Sequence, residues 1–144
     1  MERKRNTRNF AELSRLSAKH LKGGMMTEYV NDLRQMAKIL KHEGRSIDEL
    51  KVLILGFYIK LNCGETIPAI DRELVSSIRK AAAAAGASKY DVEELLLSTI
   101  HEDTAPRRNF TPRDSLYVLG LCMSGDWEQA ESIAVRSRAA VSYL

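Results

Sequence analysis

A chain of 144 residues, 44% of them hydrophobic and 28% charged, is long enough for one domain with its own core. It has no apolar run near the roughly 20 residues that cross a bilayer, and the apolar stretch of a secretory signal does not follow its basic start. A cytoplasmic protein with no membrane contact is therefore expected, with Cys63 and Cys122 as reduced, partly buried thiols.

The net charge of +3 is unevenly held: residues 1–24 carry seven cations against two carboxylates, a net +5, which leaves −2 for residues 25–144. Such asymmetry points to an acidic partner, nucleic acid or a membrane surface, the membrane ranking last because the apolar face of the segment is short and lacks Trp. Arg3, Lys4, Arg5 and Arg8 have no apolar spacing that a core could hold. From Asn9 to Lys22 a helix is predicted, capped by Asn9 and ended by Gly23-Gly24. At 100° per residue, Phe10, Leu13, Leu16, Ser17, His20 and Leu21 share one arc, while Arg8, Arg15, Lys19 and Lys22 share the opposite one. The glycine pair reads as a hinge, dividing a basic segment over 1–24 from a helical domain over 25–144.

The second helix is predicted from Thr27 to about Glu43, with Tyr29, Val30, Leu33, Met36, Ala37 and Leu40 as its apolar face and Gly44 as its stop. Ser46 and Glu49 then read as a capping box opening a third helix. Ile47, Leu50, Ile54, Phe57 and Leu61 lie on one side of it, and Val52, Leu55 and Ile59 on another. A helix apolar nearly all round is one surrounded by neighbours.

A fourth helix is expected to begin after Thr66 with Pro68 in its first turn, to run through the alanines of RKAAAAAG, and to end at Gly86. The fifth follows Ser88, with Val92, Leu95, Leu96, Thr99 and Ile100 inward. The longest connection, HEDTAPRRNFT, offers Arg107 and Arg108 as a second basic contact. Thr111 and Pro112 open a sixth helix with Leu116, Leu119, Cys122 and Met123 on one face. Gly125 and Asp126 turn the chain into a seventh helix carrying Trp127, Ala130, Ile133, Ala134 and Val141. With no strand alternation anywhere, the fold class is all-α: about seven short helices in a bundle, the third and sixth central.

Two stretches resemble known helical families. LYVLGLCMSGDWEQAESIA is similar to the helical hairpin of a tetratricopeptide repeat through Leu119-Gly120, Gly125-Asp126-Trp127 and Ala130. Its first helix is about two residues short for that register and no second copy follows, so it reads as a general helical hairpin. Over residues 50–97, CGETIPAIDRELVSSIRKAAAAAGASKYDVEELL resembles in rhythm the tellurite-resistance TerB-like domains, but its turn, Asn62-Cys63-Gly64-Glu65, lacks their acidic residue before Gly64, so the metal-linked role of that family does not carry over.

Catalytic and cofactor signatures are absent. His20, His42 and His101 have no zinc-type spacing, His101-Glu102-Asp103 reads as a polar helix end, and no phosphate-cradling glycine loop or nucleophile motif occurs. No metal or cofactor is expected. The resulting expectation is a non-enzymatic helical subunit whose body meets other protein copies. Its nucleic-acid contacts, non-specific in sequence, would come from Arg3, Lys4, Arg5, Arg8, Arg15, Lys19, Lys22, Arg107 and Arg108. Phe10 alone gives the basic segment no aromatic platform for stacking bases. The alternative is an interaction adaptor whose basic segment docks an acidic protein surface or enters a partner's groove through Phe10, Leu13 and Leu16.

Overall fold

The computed structural model describes residues 9–63, 70–100 and 110–142. They form seven helices and no strand: α1 (Phe10–Lys22), α2 (Met26–His42), α3 (Ser46–Cys63), α4 (Arg72–Ala85), α5 (Lys89–Thr99), α6 (Pro112–Met123) and α7 (Trp127–Ser142). The all-α fold expected from the sequence is the fold observed.

Local chemistry sets most helix ends. The Asn9 side chain accepts the Glu12 backbone N–H at 2.8 Å, opening α1. Ser88 with Asp91, and Thr111 with Asp114, form reciprocal capping boxes on α5 and α6. The first reversals are very tight. Gly24 and Gly44 sit at φ +73° and +74°, the left-handed region that favours glycine. The residues after them donate back across the turn, Met25 N to His20 O at 2.8 Å and Arg45 N to Leu40 O at 2.9 Å.

That tightness changes two expected starts. Arg45 both closes α2 and precedes α3, so Ser46 lies inside the helix and the Ser46–Glu49 capping box does not form; the Glu49 N–H bonds the Arg45 carbonyl instead. Similarly, α2 begins at Met26, with Met25 ahead of it and no side-chain cap. A third correction concerns α4, which starts at Arg72 rather than near Pro68. Asp71 is the better cap, its Oδ1 accepting the Leu74 N–H at 3.1 Å. Pro68 lies outside the described residues.

α3 is the centre of the bundle and packs against α2, α4, α5 and α6. Leu50, Ile54, Phe57, Tyr58, Ile59 and Leu61 are all buried along it. α1 lies on α2 and puts Leu13 into the same core. α4 turns Leu74, Val75, Ile78, Ala81 and Ala82 inward, so only part of the alanine run faces a neighbour. The inward phase of α6 is Ser115, Val118, Leu119 and Cys122, with Leu116 and Met123 only half-buried. Ser115 is tolerated there because its hydroxyl bonds the Thr111 carbonyl at 3.0 Å.

Candidate cationic face and a polar cleft

Of the residues assigned to a polyanion contact, the described ones are Arg15, Lys19 and Lys22. All three are exposed on the arc of α1 that faces away from α2. None forms an ion pair or side-chain hydrogen bond among the described residues. Arg3, Lys4, Arg5 and Arg8, and also Arg107 and Arg108, lie outside the described residues, as do His101, Glu102 and Asp103.

The opposite arc of α1 is fastened by a pair that the sequence reading missed. His20 Nδ1 sits 2.5 Å from Asp32 Oδ2 on α2, with the two side chains 17% and 5% exposed. The available signal was a carboxylate in phase with Tyr29, Leu33 and Met36, opposite a histidine on the inner arc of α1. His42 is exposed at the end of α2.

Elsewhere in the bundle five cations, Arg34, Arg45, Lys60, Arg72 and Arg79, hold side-chain contacts, while Lys38, Lys41, Lys51 and Lys80 form no ion pair or side-chain hydrogen bond among the described residues. Asp71 Oδ2 accepts Arg34 Nη2 at 2.7 Å and Lys60 Nζ at 2.9 Å, tying α2 and α3 to the start of α4. Burial acts to raise the Asp71 pKa, but the Lys60 and Leu74 hydrogen bonds and the charges of Lys60 and Arg34 outweigh it and hold the carboxyl below its ordinary value. Arg45 pairs with Asp48, and Arg79 donates to the Cys122 and Met123 carbonyls at the end of α6. Arg72 lies over the Trp127 ring, 4.7 Å from its centre, and reaches Glu131 at 3.4 Å. Trp127 is thus half-buried, packed on the core on one side and covered by a guanidinium.

Asn62 is a further buried polar residue that the sequence reading did not single out. Its Nδ2 donates to the Tyr58 carbonyl at 3.0 Å and its Oδ1 accepts the Phe110 N–H at 2.9 Å, joining the end of α3 to the entry of α6. Cys122 is a free, buried thiol. Burial, with Glu131 nearby, pushes its pKa up to about 11, so it is not an activated nucleophile. The Cys63 side chain lies outside the described residues. Among the described residues no three His, Cys, Asp or Glu side chains gather in a metal-holding group, and no helix is long and apolar enough to cross a membrane.

Two depressions mark the surface. A wide groove of about 400 Å³ lies beside the α4–α5 turn, with Ile47, Leu95, Asp91 and Glu94 among its walls. Asp91 there is already occupied by the Ser88 cap. A cleft of about 260 Å³ between α2, α3 and α4 has an apolar lining from Ala37, Leu53 and Leu74. Arg34, Lys38, Lys41 and Lys80 also line it, together with the carboxylates of Glu49 and Glu73.

No family model, no curated protein and no solved structure matches the chain.

Proposed function

We propose that this chain is a non-enzymatic helical subunit of a cytoplasmic assembly that contacts nucleic acid, without sequence readout, through its basic N-terminal segment, and other copies through its helical body. The observation that supports this reading is the placement of Arg15, Lys19 and Lys22 together on one exposed arc of α1, directly after the basic residues 3–8 in sequence. Arg34, Arg45, Lys60, Arg72 and Arg79 of the body are used in internal contacts, and Lys38, Lys41 and Lys80 are exposed beside Glu49 and Glu73, whereas the three cations of α1 share one solvent-facing arc and form no ion pair or side-chain hydrogen bond among the described residues. Arg3, Lys4, Arg5 and Arg8 add charge just ahead of that arc in sequence. Cations on one face neutralise successive phosphates and release counterions, which needs no base contact. Lys19 and Lys22 also sit in the last turn of α1, where positive charge favours the helix dipole. That effect accounts for their tolerance at the helix end and leaves Arg15 unexplained.

The test is the salt dependence of binding to unrelated single- and double-stranded oligonucleotides. If about five cations neutralise phosphates, log affinity against log salt has a slope of about −4 on duplex DNA. Replacing Arg15, Lys19 and Lys22 together with Gln should flatten that slope and weaken all sequences about equally. Absence of salt-sensitive binding at low ionic strength would overturn the reading and leave an acidic protein surface as the partner of the arc.

A further inference from the structure

α1 is held to the bundle by a small apolar contact and one polar one. It packs on α2. Of its apolar side chains only Leu13 is buried, with Phe10 and Leu21 half-buried against the core. The polar contact is His20 Nδ1 to Asp32 Oδ2 at 2.5 Å. Asp32 is 4% exposed, and His20 is its one hydrogen-bond or ion-pair partner among the described residues. A buried carboxylate depends on its donor, and a charged donor holds it more strongly than a neutral one. Histidine is the side chain whose charge ordinarily changes near neutral pH.

We propose that His20 and Asp32 form a pH-sensitive latch for α1: with His20 protonated the ion pair holds the helix on α2, and loss of that proton loosens it. The surrounding charges favour this sign. His20 lies in the last turn of α1, where the helix end stabilises positive charge. On α2, Glu28 stands one turn before Asp32 and on the same side of the helix. Tyr29 of α2 is buried, and burial raises its pKa, so its phenol stays neutral. Arg15, Lys19 and Lys22 oppose a charge on His20, but all three are exposed, so water and salt screen them. Deprotonation leaves a neutral imidazole against the Asp32 carboxylate, a weaker hydrogen bond than the charged pair. Gly23-Gly24, between the two helices, is the joint about which α1 moves. The latch goes beyond the nucleic-acid reading, since it acts whatever the outer arc binds.

The experiment is amide hydrogen exchange of the isotope-labelled full-length protein, followed by NMR without nucleic acid from about pH 5.5 to about pH 8. Each amide is corrected for the intrinsic pH dependence of its exchange. Protection of the Leu16, Ser17 and Leu21 amides should fall about tenfold across that range relative to Ile54 and Ile59 of α3. His20→Asn keeps a hydrogen-bond donor near the position of Nδ1 but does not titrate, so protection of α1 should be flat to within about twofold. Asp32→Asn removes the charge of the other partner, should flatten the profile too, and gives the same comparison if His20→Asn does not fold. Three results would overturn the inference: protection of α1 that does not change with pH, protection that rises with pH, or an equal fall in the variants. With no nucleic acid present, failure here is separate from failure of the nucleic-acid reading.

Discussion

Along α3, every residue from Leu53 to Leu61 is buried except the half-buried Leu55 and Lys60, whereas on α1 only Leu13 and Ser17 are buried. The one cation in that stretch of α3, Lys60, is held by Asp71. α1 holds the contact of His20 with Asp32 on its inner arc, while Arg15, Lys19 and Lys22 on the outer arc form no ion pair or side-chain hydrogen bond among the described residues. The difference separates side chains that the fold requires from side chains it merely carries. The composition of α3 follows from its neighbours, while nothing in the packing of α1 asks for Arg15, Lys19 and Lys22.

Substitutions can break that contrast or sharpen it. The largest effect is expected at Phe57, which is 2% exposed at the middle of α3. Phe57→Ala should lower stability by about 3–5 kcal/mol in denaturant unfolding, and unchanged unfolding would show that α3 is not the structural centre. Next comes Asp71→Ala, which removes the α4 cap and takes from Arg34 and Lys60 a shared carboxylate, costing about 2–4 kcal/mol.

Asp71 also predicts a pH dependence. Its folded-state pKa is depressed, so its stabilisation is complete above the unfolded carboxylate value of about 3.9 and is lost as pH falls through the lower folded-state value. Thermal unfolding of the native protein should therefore weaken more steeply below about pH 4 than that of Asp71→Asn. Equal slopes would show that the carboxylate contributes no net stability.

On the inner arc of α1, His20→Ala leaves Asp32 buried without its partner and should cost about 1–3 kcal/mol. The smallest effect is expected on the outer arc. Replacing Arg15, Lys19 and Lys22 with Gln, which keeps helix propensity, should change stability by only about 0.5 kcal/mol. A loss comparable to that of His20→Ala would show that the outer arc serves the fold after all.

Much of the helical organisation was legible because it rests on local rules. Asn9, Ser88 and Thr111 cap where short polar side chains precede apolar periodicity, and the 100° phase placed Arg15, Lys19 and Lys22 together on one exposed arc. The misses arose where a residue answers to something distant or to a competing neighbour. Ser46 looked like a cap because the sequence does not show that Arg45 is already spent closing α2. Asp71 won over Pro68 because it caps α4 and binds Arg34 and Lys60 from other helices at once. Asn62 and Asp32 find their partners 48 and 12 residues away, beyond any helical spacing. The cleft around Glu49 needs three helices before it exists, so no linear pattern contains it.

The three-residue turns at Gly23-Gly24-Met25 and Glu43-Gly44-Arg45 also bear on how the chain reaches this state. They make α1 and α2, then α2 and α3, partners in space as well as in sequence. Little loop entropy is lost in closing such short connections. Chains dominated by contacts between sequence neighbours fold on scales of roughly microseconds to milliseconds. The N-terminal three-helix unit therefore has the topology to assemble first. α6 must meet α3 and α4 across the whole of α5 and the connection after it, so its docking is expected to be the later and slower step.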